Sequence, residues 1–217
     1  MTAVLESLII YLCLVNFAVA QDDPALKHEI DQLVEKYNTA PHLQMEFELK
    51  VVYPEQKPTL YNGSYYQQDN TFRVVFDEYE IYSDHKSQWT VFKENQEVQI
   101  TSVEEEGAEL STPSGVLKYL DENEFRYFDK SSLNPGSSRL RIIELIPEDK
   151  SSEYFKIRIT KEKDSNLLKY IEVFARDGSR FQLTVKNSSF SANLVENSVE
   201  WNAENFKGFY IEDLRID

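Results

Sequence analysis

Carboxylates are the side chains this sequence offers most freely for chemistry. Acid pairs stand at Asp77/Glu78 and Glu148/Asp149, and glycoside hydrolysis needs two carboxyl groups flanking one bond. With 38 Asp and Glu in 217 residues, such neighbours arise by chance. Other chemistries find less to work with. The three histidines, His28, His42 and His85, show no metal-ligand spacing, and the single cysteine, Cys13, sits in an apolar N-terminal stretch. A Gly-x-Ser-x-Gly elbow is absent, and six scattered glycines make no phosphate loop. The residues therefore predict no catalytic residue, no metal site and no cofactor. They point to a protein that binds.

What it could bind with is an apolar surface. From 61 to 101 the chain reads as short strands turning over at QQDN, FDEY and SDHKSQ, with a large apolar residue at nearly every second position. Successive side chains alternate faces along a strand, so Tyr61, Tyr65, Phe72, Val74, Phe76, Trp89 and Val91 are expected on one side of a sheet. Residues 42–53 repeat the pattern, with Leu43, Met45, Phe47, Leu49 and Val51 facing one way. A sheet greasy on one face must be covered by protein or by a ligand. Both readings stay open on the residues alone, although two short helices bring few apolar side chains to cover so many.

Those helices come next. Asp22 or Asp23 can cap a helix with Pro24 at its first position, and Leu26, Ile30, Leu33, Val34 and Tyr37 recur at helical spacing. Ser111-Thr112-Pro113 opens a second, shorter one carrying Val116, Leu117 and Leu120. After an acidic loop at 104–109 and a turn at 131–138, strands are expected at 139–146, 154–161, 167–175 and 180–186. Asp177-Gly178 marks a tight hairpin between the last two. The fold class that follows is mostly β, α+β, with roughly nine to eleven antiparallel strands in one domain.

Compartment and charge narrow the partners. Residues 1–20 hold a short apolar core and end in Ala18-Val19-Ala20, so they are expected to be a signal peptide cleaved before Gln21. The single domain would then span 21–217. A net charge of −15 repels phosphate backbones, which argues against a nucleic-acid partner.

The order of segments resembles the outer-membrane lipoprotein carrier family (LolA). Gly63-x-Tyr65-Tyr66 is followed by Phe72-Arg73-Val74-x-Phe76, by Tyr79-Glu80-Ile81-Tyr82-Ser83-Asp84, and by Trp89-x-Val91 ahead of Glu97-Val98-Gln99-Ile100. The IELIPEDK segment at 143–150 and Asp213-Leu214-Arg215 complete the set. The resemblance runs over about residues 26–215. It implies a single highly curved antiparallel sheet, an open half-barrel with helices covering its concave face. It further implies a monomeric periplasmic chaperone that takes acylated lipoprotein cargo from an inner-membrane ABC-type lipoprotein-releasing transporter to an outer-membrane acceptor. The expected lipid-binding residues are Leu33, Phe47, Leu49, Tyr65, Phe72, Val74, Trp89, Val91, Leu117, Leu120, Ile143, Leu145, Phe155 and Ile157. The alternative is a periplasmic half-barrel that carries or senses a free lipid, glycolipid or pigment precursor. One departure stands out. The arginine that helps hold the lid in the best-known branch would fall near Gln68-Asp69, where this chain has none, and Arg73 alternates to the face opposite Phe72 and Val74.

Overall fold

The structure, a computed structural model, describes residues 23–69, 71–84, 86–103, 112–134, 136–191 and 199–215. The expected signal peptide and its cleavage site, the acidic loop at 104–109 and His85 lie outside the described residues.

Local chemistry starts both helices as expected. The Asp23 carboxylate accepts the Ala25 N–H at 3.0 Å, and Pro24 occupies the first helical position, where its missing N–H costs nothing. Helix α1 (Pro24–Asn38) buries Leu26, Ile30, Leu33, Val34 and Tyr37 along one stripe. It ends where Thr39 turns both its N–H and its hydroxyl back onto the Glu35 carbonyl. In helix α2 (Pro113–Glu122) the Thr112 hydroxyl accepts the Gly115 N–H at 3.1 Å, and Val116, Leu117 and Leu120 are buried.

Two meanders make the sheet. The first runs through β1 (His42–Val52), β2 (Thr59–Gln68), β3 (Thr71–Phe76), β4 (Tyr79–Ser83), β5 (Ser87–Phe92) and β6 (Glu97–Ser102). The second runs through β7 (Phe125–Asp129), β8 (Leu140–Pro147), β9 (Tyr154–Glu162), β10 (Leu168–Ala175) and β11 (Arg180–Ser189). They join where β1 pairs with β11, and β12 (Tyr210–Asp213) is added outside β6. The result is one open, curved sheet of twelve strands with β12 and β7 as its rims. This is the mostly-β half-barrel class expected from the sequence. It differs in two particulars: β7 is an additional strand, and β12 runs parallel to β6 while the other pairings are antiparallel.

This topology dictates where the covering helices lie. Strands β6 and β7 are consecutive in the chain but sit at opposite ends of the sheet, so the segment between them must traverse it. Helix α2 is part of that traverse and packs with α1 into the same core as the inward side chains of β1–β4 and β7–β11. The return from β11 to β12 packs on the other side, where Trp201, Phe206 and Phe209 cover Tyr82, Trp89, Val91, Val98 and Ile100. Each face thus receives its own strap.

Candidate functional site

The concave face is a continuous apolar floor. Phe47 and Leu49 on β1, Tyr65 on β2 and Val74 on β3 meet Ile143, Leu145 and Ile157 from the second meander, all no more than 2% exposed. Phe72 is half-buried against them and stacks on Tyr65 with ring centroids 5.7 Å apart. From above, Leu33 of α1 and Leu117 and Leu120 of α2 complete the same cluster. Eleven of the fourteen expected lining residues are therefore brought together, under the helices and packed closed.

The other three are placed elsewhere. Val74 pairs with Ile81, and Ile81 with Thr90, so Thr90 shares the floor while Trp89 and Val91 point to the convex side. The face a side chain takes across a hairpin follows the pairing, and Ser83 opposite Gln88 reverses the count that alternation alone suggests. Trp89 instead stacks on Trp201 at 5.5 Å with planes 7° apart. Phe155 is displaced by a β-bulge. Lys156 pairs with Phe174 and Tyr154 with Ala175, which leaves Phe155 as the extra residue. Its ring is 41% exposed and lies near Phe174, while Tyr154 takes the place against the core.

Among the polar contacts that hold α1 on this floor, two sets are made by inward side chains of the sheet. At its C-terminal end, Gln67 of β2 points inward and is buried. Its amide donates to the carbonyls of Tyr37 at 3.2 Å and Ala40 at 3.0 Å, and its oxygen accepts the Tyr65 hydroxyl at 2.8 Å. The Tyr37 hydroxyl in turn accepts the Leu168 N–H at 3.0 Å. Burial pushes the Tyr65 hydroxyl well above the usual tyrosine range and raises that of Tyr37 as well. At the N-terminal half, Glu29 of α1 bridges two cations of the sheet, with Lys161 Nζ at 2.9 Å and an Arg141 Nη at 3.0 Å. Arg141 also meets Asp129 at 2.5 Å. Arg73 lies on the convex face as expected, paired with the buried Glu80 at 2.6 Å.

Neither set was singled out from the sequence. Gln67 continues the inward series Gly63-Tyr65, and Lys161 continues Ile157-Ile159, so each is a polar residue at an apolar position. The acid pairs that could have done chemistry lie on turns: Asp77, Glu78, Glu148 and Asp149 are exposed. Among the described residues no group of His, Cys, Asp or Glu is placed to hold a metal ion.

No protein-family model matches the sequence, nor does the sequence of any curated protein. Solved structures do share the fold. An uncharacterised conserved protein from Thermus thermophilus is similar over 88% of this chain and 99% of its own, with a TM-score of 0.55 and 13% identity. MucB is similar over 83% of this chain and 64% of its own, with a TM-score of 0.50 and 12% identity. A weaker likeness reaches a LolA superfamily protein from Nitrosomonas europaea, with a TM-score of 0.41 and 11% identity over 82% and 96% of the two chains. At these identities the likeness is one of fold.

Proposed function

We propose that the protein is a periplasmic carrier that shields the acyl chains of lipoproteins released from the inner membrane and delivers them to the outer membrane. One observation carries the reading: a concave face that is apolar apart from a few inward polar side chains, Gln67, Thr90 and Lys161 among them, is covered by two short helices instead of a second sheet. Lifting α1 would uncover on the order of a few hundred Å² of apolar surface, at about 25 cal/mol per Å². Acyl chains entering beneath it would replace the lost contact, each buried CH₂ contributing about 0.8 kcal/mol. Closed and loaded states then lie near enough in energy for cargo to be both taken and surrendered. The carrier needs no chemistry of its own, and the signal peptide expected at 1–20 would deliver it to the periplasm.

Extraction and mass spectrometry of what co-purifies with the protein from a native periplasm tests this directly. Acylated lipoprotein is the expected passenger. Free lipid, glycolipid or pigment precursor in its place would favour the alternative carrier or sensor, and release of hydrolysis products from added lipids would overturn both.

A further inference from the structure

On the assumption that the concave face is a lipid site, and for a free lipid in particular, since the acylated cysteine of a lipoprotein carries no charge at its head, we infer that it recognises amphiphiles bearing a single negative charge, whose head group takes the place of Glu29 on Lys161 and Arg141. Lys161 is an unusual occupant of that floor. It follows Ile157 and Ile159 on the inward side of β9, is 3% exposed, and pairs across the strands with Arg141 on one side and Leu168 on the other. Its carboxylate partner belongs to α1, the element that must move for a tail to enter. Arg141 has a second partner, Asp129, which belongs to the sheet and stays behind.

The charge balance fixes the valence. Lys161 and Arg141 bring two positive charges and Asp129 one negative, so departure of Glu29 leaves one uncompensated positive charge beside an apolar surface. A buried cation deprived of its partner is strongly unfavourable, and hydrocarbon alone does nothing to relieve it. An anionic head does. Donors are available for its oxygens: the Lys161 ammonium and the Arg141 guanidinium, whose buried Nε has no hydrogen-bond partner among the described residues. The tail would run from this end into the space vacated by Leu26, Ile30 and Leu33, over Ile143 and Ile159. Glu29 then acts as a built-in stand-in for the ligand's head, and its release ties helix opening to the ligand's charge. A carboxylate and a phosphodiester both meet that requirement.

Calorimetric titration with decanoate, decyl methyl phosphate, decanol and inorganic phosphate tests this on the full-length mature protein. Both acids are expected to bind about tenfold or more tightly than decanol, with inorganic phosphate alone giving no measurable binding. Lys161→Met, which retains the apolar stem, should bind decanol as before and lose the preference for acids. Arg141→Gln should lose part of the preference, which keeps the test open if the first variant misfolds. Glu29→Gln should tighten the acids more than the alcohol, since no carboxylate competes. Equal binding of acid and alcohol would overturn the charge requirement alone, as would full discrimination in Lys161→Met. Inorganic phosphate binding as tightly as decyl methyl phosphate would also sink it. If none of the tailed compounds binds, the lipid-carrier reading falls with it.

Discussion

The ring of Phe47 lies directly over Gly63, its partner across the β1–β2 pair. A Cβ at position 63 would come within 2.7 and 2.8 Å of two ring carbons and closer still to a third. The glycine is there to admit the ring, and the ring sets the level of the concave floor at its centre. It also packs edge-on to Phe76 with centroids 5.6 Å apart.

Gly63→Ala should therefore destabilise the protein by overpacking, at about 1–3 kcal/mol, since the buried Phe47 ring would have to shift out of its place. Urea unfolding of the two proteins measures the difference. The pair Gly63→Ala with Phe47→Leu should recover part of it, and equal stability of Gly63→Ala and the parent would contradict the close approach.

Gln67→Met removes the tie at the C-terminal end of α1. The Tyr37 and Ala40 carbonyls and the Tyr65 hydroxyl lose their partner, at about 1–3 kcal/mol for buried groups left unpaired. Amide exchange should quicken along α1 more than along β1, which keeps its pairing on both sides. Uniform acceleration over the whole chain would mean that α1 does not open by itself.

Alkaline pH should unfold the protein through its tyrosines. Burial holds the Tyr65, Tyr37 and Tyr82 hydroxyls above their ordinary range, and Tyr170 is pushed up to about 12, by burial first and then by Glu172. In the unfolded chain they ionise near about pH 10, so the folded state keeps protons that the unfolded state gives up. Their contribution is complete below that pH and is lost as pH rises toward the folded values. Loss of circular dichroism should set in above about pH 10, and the stability of Tyr65→Phe should fall less steeply over the same range. An equal dependence on pH in the two proteins would show the Tyr65 hydroxyl to be accessible in the folded protein.

Tryptophan emission should not report lipid entry. The chain has two tryptophans, and both lie in the convex cluster, Trp201 stacked on Trp89 and on Phe206, the latter at 4.8 Å. Titration with a brominated fatty acid should leave their emission unquenched, while Tyr65→Trp should create a quenchable signal. Quenching in the unmodified protein would place the lipid on the convex side.

What could be read from the sequence was what depends on neighbours in the chain. The Asp23-Pro24 start and the Leu26–Tyr37 stripe give α1, and strict alternation from Leu43 to Val51 gives β1 with its correct inward face. Trp89, Val91 and Phe155 were not legible in this way. Their orientation follows from which residue lies opposite on the next strand, and from one bulge, and alternation within a strand carries neither. Gln67, being polar, reads with the outward positions of its strand although it faces inward, and Lys161 gives no local signal; the meaning of both lies in α1, whose path over the sheet is a long-range matter. The traverse of α2 likewise follows from strand order, which no local pattern encodes.

The joint between the meanders bears on how the chain reaches this state. Each meander is built from neighbouring hairpins that close small loops, whereas Gln44 must find Ser189 from the far end of the sequence. Loop-closure entropy makes such a pairing late and slow, with a bulge at Glu46/Phe47 that must also be matched. Until it forms, two half-sheets coexist, each with a bare edge and an apolar face turned to solvent. Newly synthesised chains would spend their most aggregation-prone interval in that state, so substitutions at β1 and β11 should govern folding yield more than substitutions of equal cost at the rims.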